Sequence, residues 1–346
     1  MSLALPAFGF GGAPIGNLFS PVSDQEAFDA VEAAWQAGVR LFDTAPHYGL
    51  GLSERRLGSA LAGRSGYVLS TKVGRVLERG EPAPDTEGFA VTTDLHRKWD
   101  FSASGVRRSL DDSLVRLGLP SVDLALVHDP DDHAEQALAE AYPALAALRE
   151  EGVVRAIGLG MNQWQLPLRF VRETDIDVVM LAGRYTLLDQ SGLPLLEECA
   201  ARGVRVIAAG VFNSGMLATD EPGGTFDYAP ASASLVDRAR KIAAVCARYG
   251  VSLPQAAIAF PSAPRRVVDR AGVPQRRRGE AQRRPRGAAG ARGGVDGADV
   301  GGPGPASRVN GHAAREEGRP LRPRAALPGA GQEEGTKTQD LDSPSS

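Results

Sequence analysis

The 346-residue sequence predicts an α/β fold: a (β/α)8 TIM barrel that lacks its eighth βα unit and continues into a disordered tail. Three observations predict it. Short, near-continuous apolar runs alternate along the chain with segments of helical apolar spacing, the pattern of a parallel sheet covered by helices. Seven such βα units fit into about 250 residues, the usual scale of a (β/α)8 barrel. Three consecutive strands each end in an ionisable residue, Asp43, Lys72 and His128. That C-terminal strand edge is where barrel active sites lie.

In chain order, the first strand is read over Phe8–Gly12 and ends in Gly11-Gly12. Ser23 with Glu26 matches a capping box and opens a helix with Phe28, Val31 and Trp35 on one face, closed at Gly38. Leu41 and Phe42 lead into Asp43, and a helix follows from about Ser53. The segment 68-VLSTKVG-74 is the strand that carries Lys72, and residues 74–100 read as a long polar loop containing Trp99. A helix from about Ser104 sets Val106, Leu110, Leu114 and Leu117 at helical spacing and stops at Gly118. The strand in 122-VDLALVHDP-130 precedes a helix with Pro143 in its first turn and Leu145 and Leu148 facing inward. The strand in 153-VVRAIGLGMN-162, a helix to about Arg172 and the strand in 177-DVVMLAGRY-185 come next. A helix over 193–202, the strand in 204-VRVIAAGVFNSG-215 and a helix over 234–249 complete the seven units.

The composition, 42% hydrophobic and 23% charged, supplies the core of one large domain. A net charge of −3 argues against a nucleic-acid footprint over the whole chain. Cys199 and Cys246 have no metal-ligand spacing and read as buried thiols of a reducing compartment. The N-terminus has no basic leader, and Pro6 and Gly9 break its apolar run, so neither a signal peptide nor a membrane span is expected. A cytoplasmic location follows, with no bound metal and no membrane partner.

Residues 1–261 read as the barrel, and 262–346 as a segment of different character. The latter has no Ile, Phe, Trp, Tyr, Met or Cys and carries 16 Lys and Arg against 10 Asp and Glu. Such Arg/Gly/Ala/Pro-rich composition cannot bury enough apolar surface to offset chain entropy. It fits a solvated disordered tail, a nucleic-acid-binding arm, or a GC-rich coding sequence read out of frame. The change falls inside 251-VSLPQAAIAFP-261, a pattern that normally feeds the next strand, which favours the out-of-frame reading. The absence of aromatics for base stacking argues against a nucleic-acid partner.

The chemistry centres on 41-LFDTAPHYG-49. A carboxylate at the end of a core strand is costly unless paired, and a lone Asp43 would read as a helix cap or a buried salt bridge. Lys72 and His128 at equivalent strand ends turn the reading towards a site. An ammonium about 4 Å from a phenolate stabilises it by roughly 4 kcal/mol at an effective dielectric near 20. Lys72 is therefore expected to lower the pKa of Tyr48, with Asp43 keeping the lysine charged and oriented. His128 is placed to donate a hydrogen bond to a carbonyl oxygen. These four groups can polarise a carbonyl and exchange one proton with it. A hydride source is missing, which implies a nicotinamide cofactor.

The order Asp43, Tyr48, Lys72, His128, in the contexts D-x4-Y-G, S-T-K and H-D-P, resembles the aldo-keto reductases from about Phe8 to Pro261. The resemblance implies Tyr48 as general acid/base, Lys72 and Asp43 tuning it, and His128 orienting the substrate. It implies that Asn162 holds the nicotinamide carboxamide. It further implies that the 211-VFNSG-215 turn contacts the pyrophosphate through backbone N–H groups, Gly215 included, and through the side chains of Asn213 and Ser214, with Gly12 also on the cofactor side. A strand-six Gln and a strand-seven aromatic common in the family fall on Ala182 and Ala209. The family's phosphate-clamping eighth unit has no match in 262–346, so NADP and NAD both stay open. The loops 91-VTTDLHRKWDFS-102 and 181-LAGRYTLLDQ-190 are similar to the sugar and pyridoxal dehydrogenase branch. That implies hydride transfer at C1 of an L-fucose or D-threo-aldose type sugar, or else oxidation of pyridoxal at its 4-aldehyde. Two rival readings are a Schiff-base lyase using Lys72 and an inactive nucleotide-binding remnant.

Overall fold

A computed structural model of the chain describes residues 3–262. Of the two units into which the chain divides, Met1–Pro274 and Gln275–Ser346, the second lies outside those residues. The expected tail, whether disordered or out of frame, falls outside them too, save for Ser262.

Seven strands form one parallel sheet: β1 Gly9–Gly11, β2 Leu41–Asp43, β3 Val68–Val73, β4 Leu124–His128, β5 Ala156–Met161, β6 Val178–Ala182 and β7 Arg205–Ala209. They pair strictly in chain order, β1 to β7. The helices are α1 Asp24–Gln36, α2 Leu52–Leu61, α3 Ala103–Leu117, α4 Tyr142–Glu150, α5 Gln165–Glu173, α6 Leu193–Arg202, α7 Ala233–Arg248 and α8 Leu253–Ala259. This is the (β/α)8 plan with seven barrel strands among the described residues. No single helix there is long and apolar enough to cross a membrane.

Strand periodicity sorts the side chains into two layers. Phe42, Leu69, Val73, Ala125, Val127, Ile157, Leu159, Val179 and Leu181 point outward into one core shared with the helices. Leu41, Val68, Leu124, Leu126, Ala156, Val178 and Met180 point inward, and Leu3 packs with them. Continuing that alternation puts Asp43, Lys72 and His128 on the inner face. The barrel interior is therefore apolar near the strand starts and polar near their ends.

The expected helix signals mostly hold. Ser23 Oγ accepts the Glu26 N–H at 3.2 Å, and the Ser23 N–H donates to Glu26 Oε2 at 2.8 Å, which is the reciprocal box. Ser102 caps α3, Gly118 closes it in the left-handed region, and Val106, Leu110 and Leu117 are buried. Two expectations are corrected. Phe28 is 43% exposed, and Ala27 takes its place on the buried face of α1, while Val31 is buried and Trp35 packs on the core as expected. Pro143 lies in the first turn of α4, as expected, and that turn is entered from a π-helical turn, Ala137–Ala141. Its wider ring fits a residue with no N–H to give the preceding turn. The segment read as a polar loop is an antiparallel hairpin of Arg75–Pro84 and Thr92–Trp99. Charged residues line much of it, and in its first strand only Arg75, Val76 and Leu77, at the base, are buried.

Candidate active site

Lys72 is 2% exposed, and its ammonium has three partners. It donates to Asp43 Oδ2 at 2.7 Å, to the Thr44 carbonyl at 3.0 Å and to the Tyr48 hydroxyl at 3.1 Å. Ser70 Oγ donates to the other Asp43 oxygen at 2.9 Å. Every N–H of the ammonium is therefore committed, and a buried charge that would otherwise be costly is satisfied. Tyr48 hangs from the turn after β2, where its N–H donates to the Ala45 carbonyl at 3.1 Å. Gly49 makes that turn possible: its φ is +62°, and a Cβ there would lie 2.2 Å from the Gly16 carbonyl oxygen.

His128 sits edge-on to the Tyr48 ring, centroids 5.9 Å apart and planes at 89°. A second imidazole, His47, lies 5.5 Å from His128 and packs edge-on against Phe89 at 5.1 Å. Burial lowers the pKa of both histidines, reinforced by the cations Arg75, Arg97 and Lys72, so each is neutral at pH 7. For His47 the value falls to about 2.

The expected lowering of the tyrosine pKa is reversed. Burial pushes the Tyr48 phenol up, and Lys72 only partly counters it while Asp43 opposes the lysine. Burial also works against the Lys72 charge, but Asp43 and Tyr48 outweigh it and raise its pKa. A fully buried phenolate loses its hydration, and here that loss is larger than the Coulomb attraction of Lys72. Tyr48 is thus a protonated phenol holding a lysine bond, and its proton is available to a substrate oxygen.

The positions expected on the cofactor side divide. Asn162 directly follows β5 on the inward-facing alternation, and its side chain has no hydrogen-bond partner among the described residues. Ala182 and Ala209 are register partners at the ends of β6 and β7, both on the inner face. Gly12 is committed elsewhere: its N–H donates to the Asp43 carbonyl at 2.7 Å, and a Cβ would meet that same oxygen at 2.7 Å. It lets β1 approach the site wall closely. Asn213 is 3% exposed with its amide turned inward to the Gly183 carbonyl at 3.3 Å, and Ser214 Oγ accepts the Tyr228 N–H at 3.0 Å. Each side chain thus has one bond within the protein, while Asn213 Oδ1 has no partner among the described residues. The N–H groups of Ser214 and Gly215 have no partner among the described residues, so the turn's backbone keeps its donors.

Sequence reading passed over the residues that surround this centre. Arg75 donates to Asp129 Oδ2 at 2.6 Å and lies 3.5 Å from Glu87. Arg97 pairs with Asp85 and donates to the His47 carbonyl at 3.0 Å. The signal for His47 lay within 41-LFDTAPHYG-49 itself, one residue before the tyrosine. The others needed the hairpin. No group of three or more His, Cys, Asp or Glu among the described residues is arranged to hold a metal.

Residues 7–269 match the Aldo/keto reductase family model, and the chain belongs to that family of oxidoreductases. The family uses nicotinamide cofactors and acts on small carbonyl compounds. The chain is 50% identical over 270 residues to a D-threo-aldose 1-dehydrogenase of a Pseudomonas species, covering 75% of this chain and 82% of that one. It is 41% identical over 285 residues to pyridoxal 4-dehydrogenase of Microbacterium luteolum, with coverages of 75% and 82%. A solved aldo-keto reductase from Bacillus halodurans, in its holo form, superposes with a TM-score of 0.51 at 28% identity, covering 61% of this chain and 64% of that one.

Proposed function

We propose that the protein oxidises C1 of a small aldose of D-threo or L-fucose type, using NADP or NAD, with residues 1–261 as the catalytic barrel. The observation that carries this reading is the Lys72 ammonium bridging Asp43, the Thr44 carbonyl and the Tyr48 hydroxyl. The similarity to D-threo-aldose 1-dehydrogenase supports the choice of sugar. The nicotinamide supplies the hydride acceptor, or the donor in reverse. Asn162 would hold its carboxamide, and the Ser214 and Gly215 N–H groups would face its phosphates.

The chain's own groups handle the proton. In reduction, the Tyr48 hydroxyl donates to the carbonyl oxygen while Lys72, hydrogen-bonded to it, steadies the phenolate left behind. In oxidation, the C1 hydroxyl proton returns to that oxygen as hydride leaves carbon. Neutral His128, edge-on to Tyr48, orients the substrate oxygen by a hydrogen bond. Such positioned proton transfer contributes about 10²- to 10⁴-fold. We also propose a cytoplasmic enzyme, consistent with its free thiols Cys199 and Cys246.

Oxidation of pyridoxal is the second reading, supported by the 41% relative and by Phe89, whose ring lies 6.1 Å from Tyr48 and suits a flat substrate. The test is reduced-nicotinamide formation with L-fucose or pyridoxal, each with NAD and NADP. The first reading expects turnover of L-fucose. Turnover of pyridoxal alone would replace it with the second, and turnover of neither would remove both.

A further inference from the structure

Seven buried side-chain polar atoms among the described residues have no hydrogen-bond partner, and four of them occur in one place: His47 Nδ1, His128 Nδ1, Arg75 Nε and Arg97 Nε. These four residues are linked. His47 and His128 meet edge-on with ring centroids 5.5 Å apart, Arg97 holds the His47 carbonyl at 3.0 Å, and Glu87 lies 3.7 Å from His47, 3.5 Å from Arg75 and 3.7 Å from Arg97. Asp129, bonded to Arg75 at 2.6 Å, is 3.5 Å from His128 Nε2. Buried polar atoms are nearly always paired, so such clustering beside one tyrosine hydroxyl needs an explanation. A hydroxyl-bearing substrate supplies what is missing: donors and acceptors, at several points, with no net charge.

We propose that His47, held by Arg97 and Glu87 of the hairpin, recognises a hydroxyl next to the reacting carbon and selects neutral polyhydroxylated substrates. This rests on the oxidoreductase reading and adds the residue that sorts substrates within it. His47 is neutral because burial and the neighbouring cations disfavour its protonation, so one ring nitrogen donates and the other accepts. A hydroxyl, which also does both, is its natural complement. The guanidinium groups of Arg75 and Arg97 are already paired with Asp129 and Asp85, so a substrate carboxylate finds its counter-charges occupied. A site built around hydrogen bonds discriminates strongly against an analogue that lacks the partner, since the buried groups are then left unpaired.

The test compares glyceraldehyde with propanal, which share three carbons and an aldehyde and differ by two hydroxyls. Wild-type enzyme should prefer glyceraldehyde in kcat/KM. His47→Phe keeps the ring packing against Phe89 and His128 but removes both nitrogens. It should lower kcat/KM for glyceraldehyde at least 10-fold and for propanal less than 3-fold, while His47→Gln restores part of the loss. Equal losses on both aldehydes, or no loss on either, would overturn the proposal. Binding of L-fucose to wild type and His47→Phe, followed by saturation-transfer NMR, does not depend on turnover. If neither aldehyde is reduced, the oxidoreductase reading fails, and unchanged sugar binding in the variant would then overturn the role of His47 separately.

Discussion

The two sides of the barrel are built differently. From β2 to β5 every strand residue is buried, and at the ends of β2 and β3 the polar groups are paired with one another. Asp43, Ser70, Lys72, Thr44 and Tyr48 form a closed set before any ligand arrives. On the β7 side, by contrast, all five strand residues are half-exposed, and α7 buries only Ala239 along its length. The nearby inner positions Ala182 and Ala209 offer a methyl group each. The difference teaches that the proton-handling half of the site is preorganised by the fold, whereas the half assigned to the cofactor relies on backbone donors and on a less enclosed strand.

The largest expected effect breaks the closed side. Asp43→Ala leaves the Lys72 ammonium buried without its carboxylate, and removing one partner of a buried pair costs about 3–5 kcal/mol. Denaturant unfolding should show a fall of that order, and a change under about 1 kcal/mol would mean that Lys72 finds another partner. The next compares like with like. Leu126→Ala on fully buried β4 should cost about 2–5 kcal/mol, within the usual range for buried leucine truncation. Ile207→Ala on half-exposed β7 should fall below about 2 kcal/mol. Equal losses at the two positions would contradict the asymmetry.

A smaller effect follows from the two histidines. Both have folded pKa values depressed below the ordinary 6.5 by burial first and neighbouring cations second. The unfolded chain therefore binds more protons as pH falls, so their stability is complete above about 6.5 and is lost progressively below it, for His47 down to about pH 2. At pH 5.5 each should have cost about 1.4 kcal/mol relative to pH 8. His47→Phe should remove about half of that pair's slope, read from urea midpoints at the two pH values. A slope identical to wild type would mean His47 is not buried neutral.

Much of this was legible in residues alone because the relevant signals are local. The strand ends at Asp43, Lys72 and His128 could be placed because a charge closing an apolar run is rare. The cap at Ser23 belongs to a short motif. The hairpin was not legible: residues 75–99 stabilise their strands through cross-strand pairs of charged side chains, such as Lys98 with Glu78, rather than through an apolar alternation. Since Arg75, Glu87, Phe89 and Arg97 lie in that hairpin, the second wall of the site was lost with it. The tyrosine pKa failed for another reason. Proximity of Lys72 can be guessed from sequence, but the desolvation that outweighs it depends on how completely the fold closes around Tyr48.

The central claim is that the Tyr48 hydroxyl, held by Lys72, exchanges the proton with substrate. The most direct measurement is the kcat of Tyr48→Phe beside its affinity for the nicotinamide cofactor, since the substitution removes one oxygen and leaves the ring in place. The account predicts a fall in kcat of about 10²-fold or more, with the cofactor Kd within about 2-fold of wild type because no cofactor-side group is touched. A variant that keeps more than half of wild-type turnover would contradict it.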